Sequence, residues 1–216
     1  MTDLNFLPAP HEINAIVLDL GGVIINIDYQ LPVKAFAALG IPDFNTLYGK
    51  AAQSSLFDDF ETGKISAADF IHQIRILSGL ELSDAQIRNA WNAILLDFPE
   101  ERIHFLMKLK EKYPLYLLSN TNAIHVEAFT KQVTEQFGRN VLAEVFLATY
   151  YSNEIGRRKP NRDAFEFVLE QNNLLPPQTL FVDDSPQHIE GARACGMRAM
   201  HVAGNRDLCS LLESYL

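Results

Sequence analysis

Cysteine is scarce in this chain of 216 residues, with Cys195 and Cys209 its only representatives. Small secreted domains are often held together by several disulfides, and thiolate metal sites need closely spaced cysteines. Two isolated cysteines favour neither arrangement, so we expect two free thiols in a reducing compartment. The expected location is the cytoplasm.

Positive charge and long apolar runs are also limited. The chain has 18 lysine and arginine residues against 27 aspartate and glutamate residues, which gives a formal net charge of -9. This charge opposes binding to nucleic acid or to an anionic membrane surface, and the basic residues are scattered. No stretch approaches the roughly 20 apolar residues that cross a bilayer, and the start of the chain lacks the pattern of a secretory signal. We expect neither a nucleic-acid nor a membrane partner.

Short apolar runs that alternate with helical patterns dominate what is present. Such runs are typical of strands that are buried on both faces of a parallel sheet. The candidate strands are 15–18, 115–118, 145–148, 179–182 and 198–202. The candidate helices are 99–113, 160–173 and 185–195. The alternation predicts an α/β fold, in which a Rossmann-like parallel sheet carries helices on both faces.

Residues 28–96 interrupt this alternation. Ser66 and Ser83 each begin a capping-box pattern, and each precedes an apolar stripe with helical spacing. No run typical of a buried strand occurs in this part of the sequence. We therefore predict an all-helical insertion at 28–96 and a core domain formed by 1–27 and 97–216.

Polar residues follow three of the predicted strands and precede one of the helices. Because ligands of parallel sheets bind at the carboxyl ends of the strands, these side chains are expected to meet at one edge. The residues concerned are Asp19, Ser119, Asn120, Asp183 and Asp184 at strand ends, and Lys159 before the helix at 160.

This set of groups suits phosphoryl transfer. A carboxylate can attack phosphorus and form an acyl phosphate, which divides one difficult displacement into two easier ones. Several acids beside a dianionic substrate require a divalent cation, and Mg²⁺ suits carboxylates, waters and substrate oxygens. A lysine and a hydroxyl balance the charge of the transferring group. Each residue alone has a more ordinary explanation, such as a helix cap or a turn, but the order of the whole set is hard to obtain by chance.

The same residues lie in four segments that resemble the motifs of the haloacid dehalogenase (HAD) superfamily. The segments are VLDLGGVI, LLSNT, RRKP and FVDDSPQHIEGA, in this order. The resemblance spans nearly the whole chain and its combination of motifs is specific. It implies that 28–96 is the helical cap of the family, that Mg²⁺ is the cofactor and that the substrate is a small phosphorylated molecule.

The resemblance also implies roles for single residues. Asp19 is the nucleophile, Ser119 and Asn120 bind the phosphate or substrate, and Lys159 steadies the nucleophile and the phosphoryl charge. His125 is a further candidate for substrate binding.

The metal ligands implied by the resemblance are Asp19, Asp184 and the backbone carbonyl of Gly21. Asp183 stands beside them, either as a direct ligand or as the neighbour of one.

One position departs from the usual pattern of the family. Phosphatases of the superfamily carry a second aspartate two places after the nucleophile, as general acid and base, and Gly21 occupies that place. A branch resembling bacterial sugar-1-phosphate phosphatases also has Asp-Leu-Gly here, and it shares the stretch at 119–125 and an Ile-Asp pair like Ile27-Asp28. Asp28 is the first candidate for the missing acid and His125 the second.

Two other functions remain open from the sequence. A 2-haloacid dehalogenase also uses an attacking aspartate but needs no metal, so that the pair Asp183-Asp184 would be out of place. A protein that kept the fold and lost turnover through Gly21 would act in binding or regulation. The resemblance implies a sugar phosphate as the substrate, but the sequence specifies neither the individual phosphomonoester nor the oligomeric state.

Overall fold

A computed structural model describes residues 9–42, 55–203 and 207–216 of the chain. Its described residues form a sheet of five parallel strands in the order β3-β2-β1-β4-β5. The strands are β1 (Ala15–Leu18), β2 (Leu115–Ser119), β3 (Ala148–Tyr151), β4 (Thr179–Asp183) and β5 (Arg198–His201). The predicted α/β fold with a parallel sheet is confirmed.

The register of the sheet places the ends of its three central strands at one edge. Leu18 on β1 is the Cα partner of Leu117 on β2 and of Val182 on β4. The backbone N–H of Asp19 continues this pairing by donating to the carbonyl of Val182 at 2.9 Å. The polar residues that follow these strands therefore emerge side by side.

Helices make up the described part of the insertion after β1. They are α1 (Gln30–Ala38), α2 (Leu56–Glu61), α3 (Ala67–Ser78) and α4 (Asp84–Asn92). The expected capping boxes begin α3 and α4, where the hydroxyls of Ser66 and Ser83 accept from backbone N–H groups three residues later. The insertion has its own buried cluster, which includes Phe36, Phe60 and Phe70. Its predicted bounds at 28–96 remain a prediction, and residues 43–54 lie outside the described residues.

The remaining helices cover both faces of the sheet. They are α5 (Glu100–Leu109), α6 (Ala123–Phe137), α7 (Val141–Val145), α8 (Ser152–Ile155), α9 (Arg162–Gln171), α10 (Pro186–Ala194) and α11 (Leu208–Leu211), with 3₁₀ turns at Pro10–Glu12, Pro176–Gln178 and Glu213–Tyr215. Because side chains alternate along a strand, Ile16 and Leu18 pack into the cluster that contains Leu106 of α5. Ala15 and Val17 pack on the other face, in the cluster of α9 and α10.

The third strand begins three residues later than the sequence predicts. Val145 ends α7, Phe146 is buried beside it, and Leu147 is 71% exposed. The apolar run therefore reflects a helix end that packs on the core. The edge strand β3 is itself mostly half-buried, so that it lacks the apolar signature of a central strand.

Two chain segments join the insertion to the core, and they lie side by side. Asn26 N–H donates to the carbonyl of Asp97 at 2.9 Å, and Leu96 N–H donates to the carbonyl of Asn26 at 2.9 Å. We call residues 26–28 and 94–97 the hinge ribbon. Its hydrogen bonds fix where the insertion meets the edge of the sheet.

Two expectations from composition can be compared with the described residues. Both cysteines are free thiols. None of the helices described combines the length and the apolar character that crossing a membrane requires.

Candidate active site

A buried lysine joins two carboxylates at the carboxyl edge of the sheet. Lys159 Nζ donates to Asp19 Oδ1 at 2.7 Å and to Asp183 Oδ2 at 2.6 Å. The Lys159 side chain has no exposed surface, and a buried cation is tolerated only when charged partners surround it. Asp183 also accepts from Ser185 N at 2.8 Å and from His188 Nδ1 at 3.0 Å. Because these donors occupy its oxygens, Asp183 is well placed to hold Lys159 in position.

These contacts move the pKa values of the two aspartates in opposite directions. Burial raises the pKa of Asp19 to about 6, against the opposing effect of Lys159. Burial also acts to raise the pKa of Asp183, but Lys159 and His188 overcome it and bring that pKa to about 2. Burial acts to lower the pKa of Lys159, and the two carboxylates raise it above its ordinary value. Asp19 is thus the carboxylate whose charge is less well stabilised, as is typical of reactive groups in active sites.

The loop after β2 braces the lysine through its backbone. Asn120 Nδ2 donates to the carbonyl of Lys159 at 2.8 Å, and Lys159 N–H donates to Asn120 Oδ1 at 2.9 Å. Both polar ends of the Asn120 side chain are therefore used within the protein, although the residue lines the cavity described below. Ser119 is almost fully buried at the end of β2 and lines the same cavity.

Three carboxylates at this edge form a site that fits a divalent cation. One oxygen each from Asp19, Asp183 and Asp184 lies within 4.8 Å of the others. Burial, followed by the charge of Asp183, raises the pKa of Asp184. Like charges this close repel each other, and a set of oxygen ligands suits Mg²⁺. Gly21, whose carbonyl is the other expected ligand, lies in the lining of the same cavity.

Gly22 leaves the space that the Asp184 carboxylate occupies. A Cβ atom on Gly22 would lie 2.2 Å from Asp184 Oδ2, and the φ angle of Gly22 is +72°. The contact excludes a side chain at this position unless Asp184 shifts. The positive φ angle would in addition strain the backbone of any residue other than glycine.

We expect Gly22→Ala to raise the Mg²⁺ concentration for half-maximal activity by about 10- to 100-fold, because the methyl group displaces Asp184, one of the expected metal ligands. The measurement is a Mg²⁺ titration of the phosphatase activity that the sequence predicts. Gly79→Ala is the matched control, since Gly79 has a φ of +68° but nothing within 4 Å of its Cβ position. Equal Mg²⁺ requirements in the two variants would contradict the explanation.

A cavity of about 370 Å³ lies over Asp19. Core residues in its lining include Asp19, Ser119 and Asp184, and the insertion contributes Tyr29 and Glu61. The hinge ribbon adds apolar surface at residues 27, 94 and 95. The cavity thus combines charged groups at the strand ends with a mixed wall from the insertion, which suits a small polar ligand.

His125 lines the cavity, but other groups occupy its ring nitrogens. Nδ1 lies 3.1 Å from Asn122 Nδ2, and Nε2 lies 3.2 Å from the backbone carbonyl oxygen of Trp91. The imidazole ring also stacks on the indole ring of Trp91. Since an amide nitrogen donates, Nδ1 accepts and the proton resides on Nε2. Burial lowers the pKa of His125 to about 4. The structure therefore places His125 as a neutral link between the insertion and α6.

Asp28 is not among the residues that line the cavity. Its Oδ1 accepts from the backbone N–H of Gln30 at 2.8 Å, at the start of α1, and its own N–H donates to the carbonyl of Ile94. The structure thus brings together Asp19, Lys159 and the two aspartates after β4, but it leaves Asp28 in the hinge ribbon.

Several cavity residues have no role in the sequence-based prediction, among them His188, Arg158 and Glu61. His188 and Arg158 fall inside quoted motifs, so that their proximity to Lys159 and Asp183 could have been noticed. The position of Glu61 in the cavity could not be predicted, because no pattern in the sequence relates α2 to the loop at 158.

The chain matches the haloacid dehalogenase-like hydrolase family over residues 13–196. It belongs to this family. The predicted membership is therefore confirmed, and the match includes all four motifs.

Relatives and solved structures of this family cover most of the chain. A D-ribitol-5-phosphate phosphatase from Bacteroides thetaiotaomicron is 31% identical over 195 residues, which are 90% of this chain and 94% of that protein. A phosphoglycolate phosphatase from Vibrio vulnificus is 26% identical, covering 86% of this chain and 81% of that protein. The crystal structure of a HAD family enzyme from B. thetaiotaomicron, in complex with magnesium and inorganic phosphate, has a TM-score of 0.84 and 33% identity, covering 90% of this chain and 96% of that one.

Proposed function

We propose that this chain is a magnesium-dependent phosphatase that hydrolyses a small sugar or alditol phosphate through an aspartyl-phosphate on Asp19. The phosphatase activity and the magnesium cofactor predicted from the sequence are confirmed by the family match and its relatives. The sugar-type substrate and the roles of single residues are our proposal. The observation that carries these roles is the buried Lys159 between Asp19 and Asp183, with Asp184 beside them.

In the first step, the Asp19 carboxylate attacks phosphorus, and the bond to the leaving oxygen breaks. Lys159 Nζ holds Asp19 Oδ1 at 2.7 Å, which fixes the orientation of the carboxylate before the substrate arrives. Ser119 and Lys159 offer donors to the phosphoryl oxygens. A magnesium ion held by Asp19, Asp184 and the carbonyl of Gly21 would supply the charge that offsets the repulsion between carboxylates and phosphate.

In the second step, water attacks the aspartyl-phosphate and releases inorganic phosphate, which restores Asp19. The leaving oxygen needs a proton in the first step, and the water must lose one in the second. Gly21 offers no side chain for this, although a Cβ there would lie 3.4 Å from Ile27 Cδ1, an ordinary contact. Asp28, the predicted general acid, lies in the hinge ribbon outside the cavity lining, so its carboxylate would have to move toward the cavity to act.

The three neighbouring carboxylates also bear on the alternative functions. A dehalogenase that acts without metal has no evident use for Asp184 within 4.8 Å of Asp19, where its charge opposes the ionised form of the nucleophile. A protein retained for binding alone would not need the buried ion pairs of Lys159, which are costly to maintain. Both observations favour the phosphatase.

Phosphate release from a panel of phosphomonoesters, with and without a chelator, tests the proposal. We expect Mg²⁺-dependent release, with sugar and alditol phosphates the best substrates, and a loss of at least about 100-fold after chelation. Re-addition of Mg²⁺ to the same sample serves as the control. Full activity in excess chelator would refute the metal-dependent mechanism.

A further inference from the structure

The cavity over Asp19 reaches a charged group that the reaction steps do not use. Arg158 lies against two carboxylates of α2: its Nη1 donates to Asp58, and its Nη2 lies 3.1 Å from Glu61 Oε2. We call these three residues the Arg158 cluster. Arg158 and Glu61 both line the cavity, and the cluster holds one positive and two negative charges.

Glu61 has hydrogen-bonding capacity that the described residues do not use. Its Oε2 is shielded from solvent and has no aligned donor among the residues the structure describes, since the contact with Arg158 is an ion pair by distance only. About a quarter of the side chain, 26%, remains exposed. Burial raises the pKa of Glu61, and the guanidinium of Arg158 opposes this rise and favours the ionised form. Because this partly exposed carboxylate lines the cavity, it favours a ligand that brings hydrogen-bond donors.

We propose that Glu61 is a specificity-determining residue that selects neutral, polyhydroxylated leaving groups and excludes anionic ones. The inference rests on the proposed phosphatase function and specifies its substrate class. Hydroxyl groups of the leaving group donate to the Glu61 carboxylate and accept from Arg158, and hydrogen bonds to charged groups are the stronger kind. A carboxylate on the leaving group would instead face the excess negative charge of the cluster.

Tyr29 supports the same class of ligand. Its ring lines the cavity and is 67% exposed, which offers an apolar face to a carbon skeleton. A phenol is protonated at neutral pH, so the Tyr29 hydroxyl can donate to a substrate hydroxyl.

Both kinds of leaving group occur among the relatives of this chain. Ribitol is neutral and carries several hydroxyls, whereas glycolate is small and anionic. Membership of the family therefore does not decide between the two kinds of leaving group, and the choice depends on the side chains that line the cavity, which here include Glu61 and Arg158.

The test compares kcat/KM for D-ribitol 5-phosphate, 2-phosphoglycolate and p-nitrophenyl phosphate in the full chain with Mg²⁺. We expect the wild type to prefer the ribitol ester over phosphoglycolate, and Glu61→Gln to lower that preference by about tenfold or more, since it removes one charge. Glu61→Asp keeps the charge and should keep the exclusion of phosphoglycolate. Glu81→Gln is the control, because Glu81 is an exposed acid of the insertion outside the cavity.

The outcomes separate the two proposals. No hydrolysis of any ester by the wild type would reject the phosphatase itself. Hydrolysis of p-nitrophenyl phosphate with a wild-type preference for phosphoglycolate, or with the same preference in Glu61→Gln as in the wild type, would reject the role of Glu61 and leave the phosphatase intact. If Glu61→Gln does not fold, a wild-type preference for phosphoglycolate would still reject the role of Glu61.

Discussion

Asp19→Asn is expected to reduce kcat by at least about 10⁴-fold for every phosphomonoester, because the amide cannot attack phosphorus. The fold is expected to survive, since Asn keeps the size of the residue and Lys159 retains its ion pair with Asp183 at 2.6 Å. The measurements are steady-state phosphate release and the thermal unfolding midpoint. Fluoroberyllate, which forms an adduct with nucleophilic aspartates, should bind the wild type and not the variant.

Asp163→Asn provides the control for this substitution. Asp163 is an exposed acid in the first turn of α9, and its partner is Arg157 at 3.6 Å. We expect its activity to match that of the wild type. Near-native turnover by purified Asp19→Asn would show that another group is the nucleophile.

Lys159→Met is expected to abolish activity and to lower the free energy of unfolding by about 3–5 kcal/mol. The substitution leaves Asp19 and Asp183 buried without their cation, and it removes the donor that we propose for the phosphoryl group. Without the lysine, burial raises the folded-state pKa of Asp19 further, and Asp183 loses the largest effect that lowers its pKa, so the native state of the variant binds protons more readily than that of the wild type. The loss of stability should therefore be largest at high pH and shrink as the pH falls. Urea unfolding of the wild type and the variant at several pH values measures this difference in the free energy of unfolding.

Lys108→Met is the matched control, because Lys108 is exposed near the end of α5. Its effect on the free energy of unfolding should stay within about 0.5 kcal/mol. A similarly small effect for Lys159→Met would mean that the buried ion pairs are not maintained in solution.

The sequence predicts the features that depend on local patterns. The capping boxes at Ser66 and Ser83 involve residues three apart, so the pattern itself contains the interaction. Asp19 and Asp183 lie at strand ends, and parallel strands bring such ends to one edge. The strand at 148–151 was misplaced because an edge strand is only half-buried, whereas the apolar run before it belongs to a helix end.

The contacts between the insertion and the core could not be predicted in this way. Arg158 and Asp58 are 100 residues apart, and no periodicity relates them. Side-chain direction was equally inaccessible: Asp28 has a suitable position in the sequence, yet its carboxylate accepts from Gln30 at the start of α1. These features depend on how separate elements pack, which a pattern along the chain does not record.

The hinge ribbon has a consequence for how enzymes of this architecture can be modified. Because Asn26 and Asp97 are hydrogen-bonded neighbours, the insertion leaves and re-enters the core at almost one point. The pairing of β1 with β2 and β4 involves no residue of 28–96. The insertion can therefore be exchanged for that of another family member without changing the order of the strands. Such an exchange would replace Tyr29 and Glu61 together and leave Asp19, Lys159 and the aspartates after β4 in place.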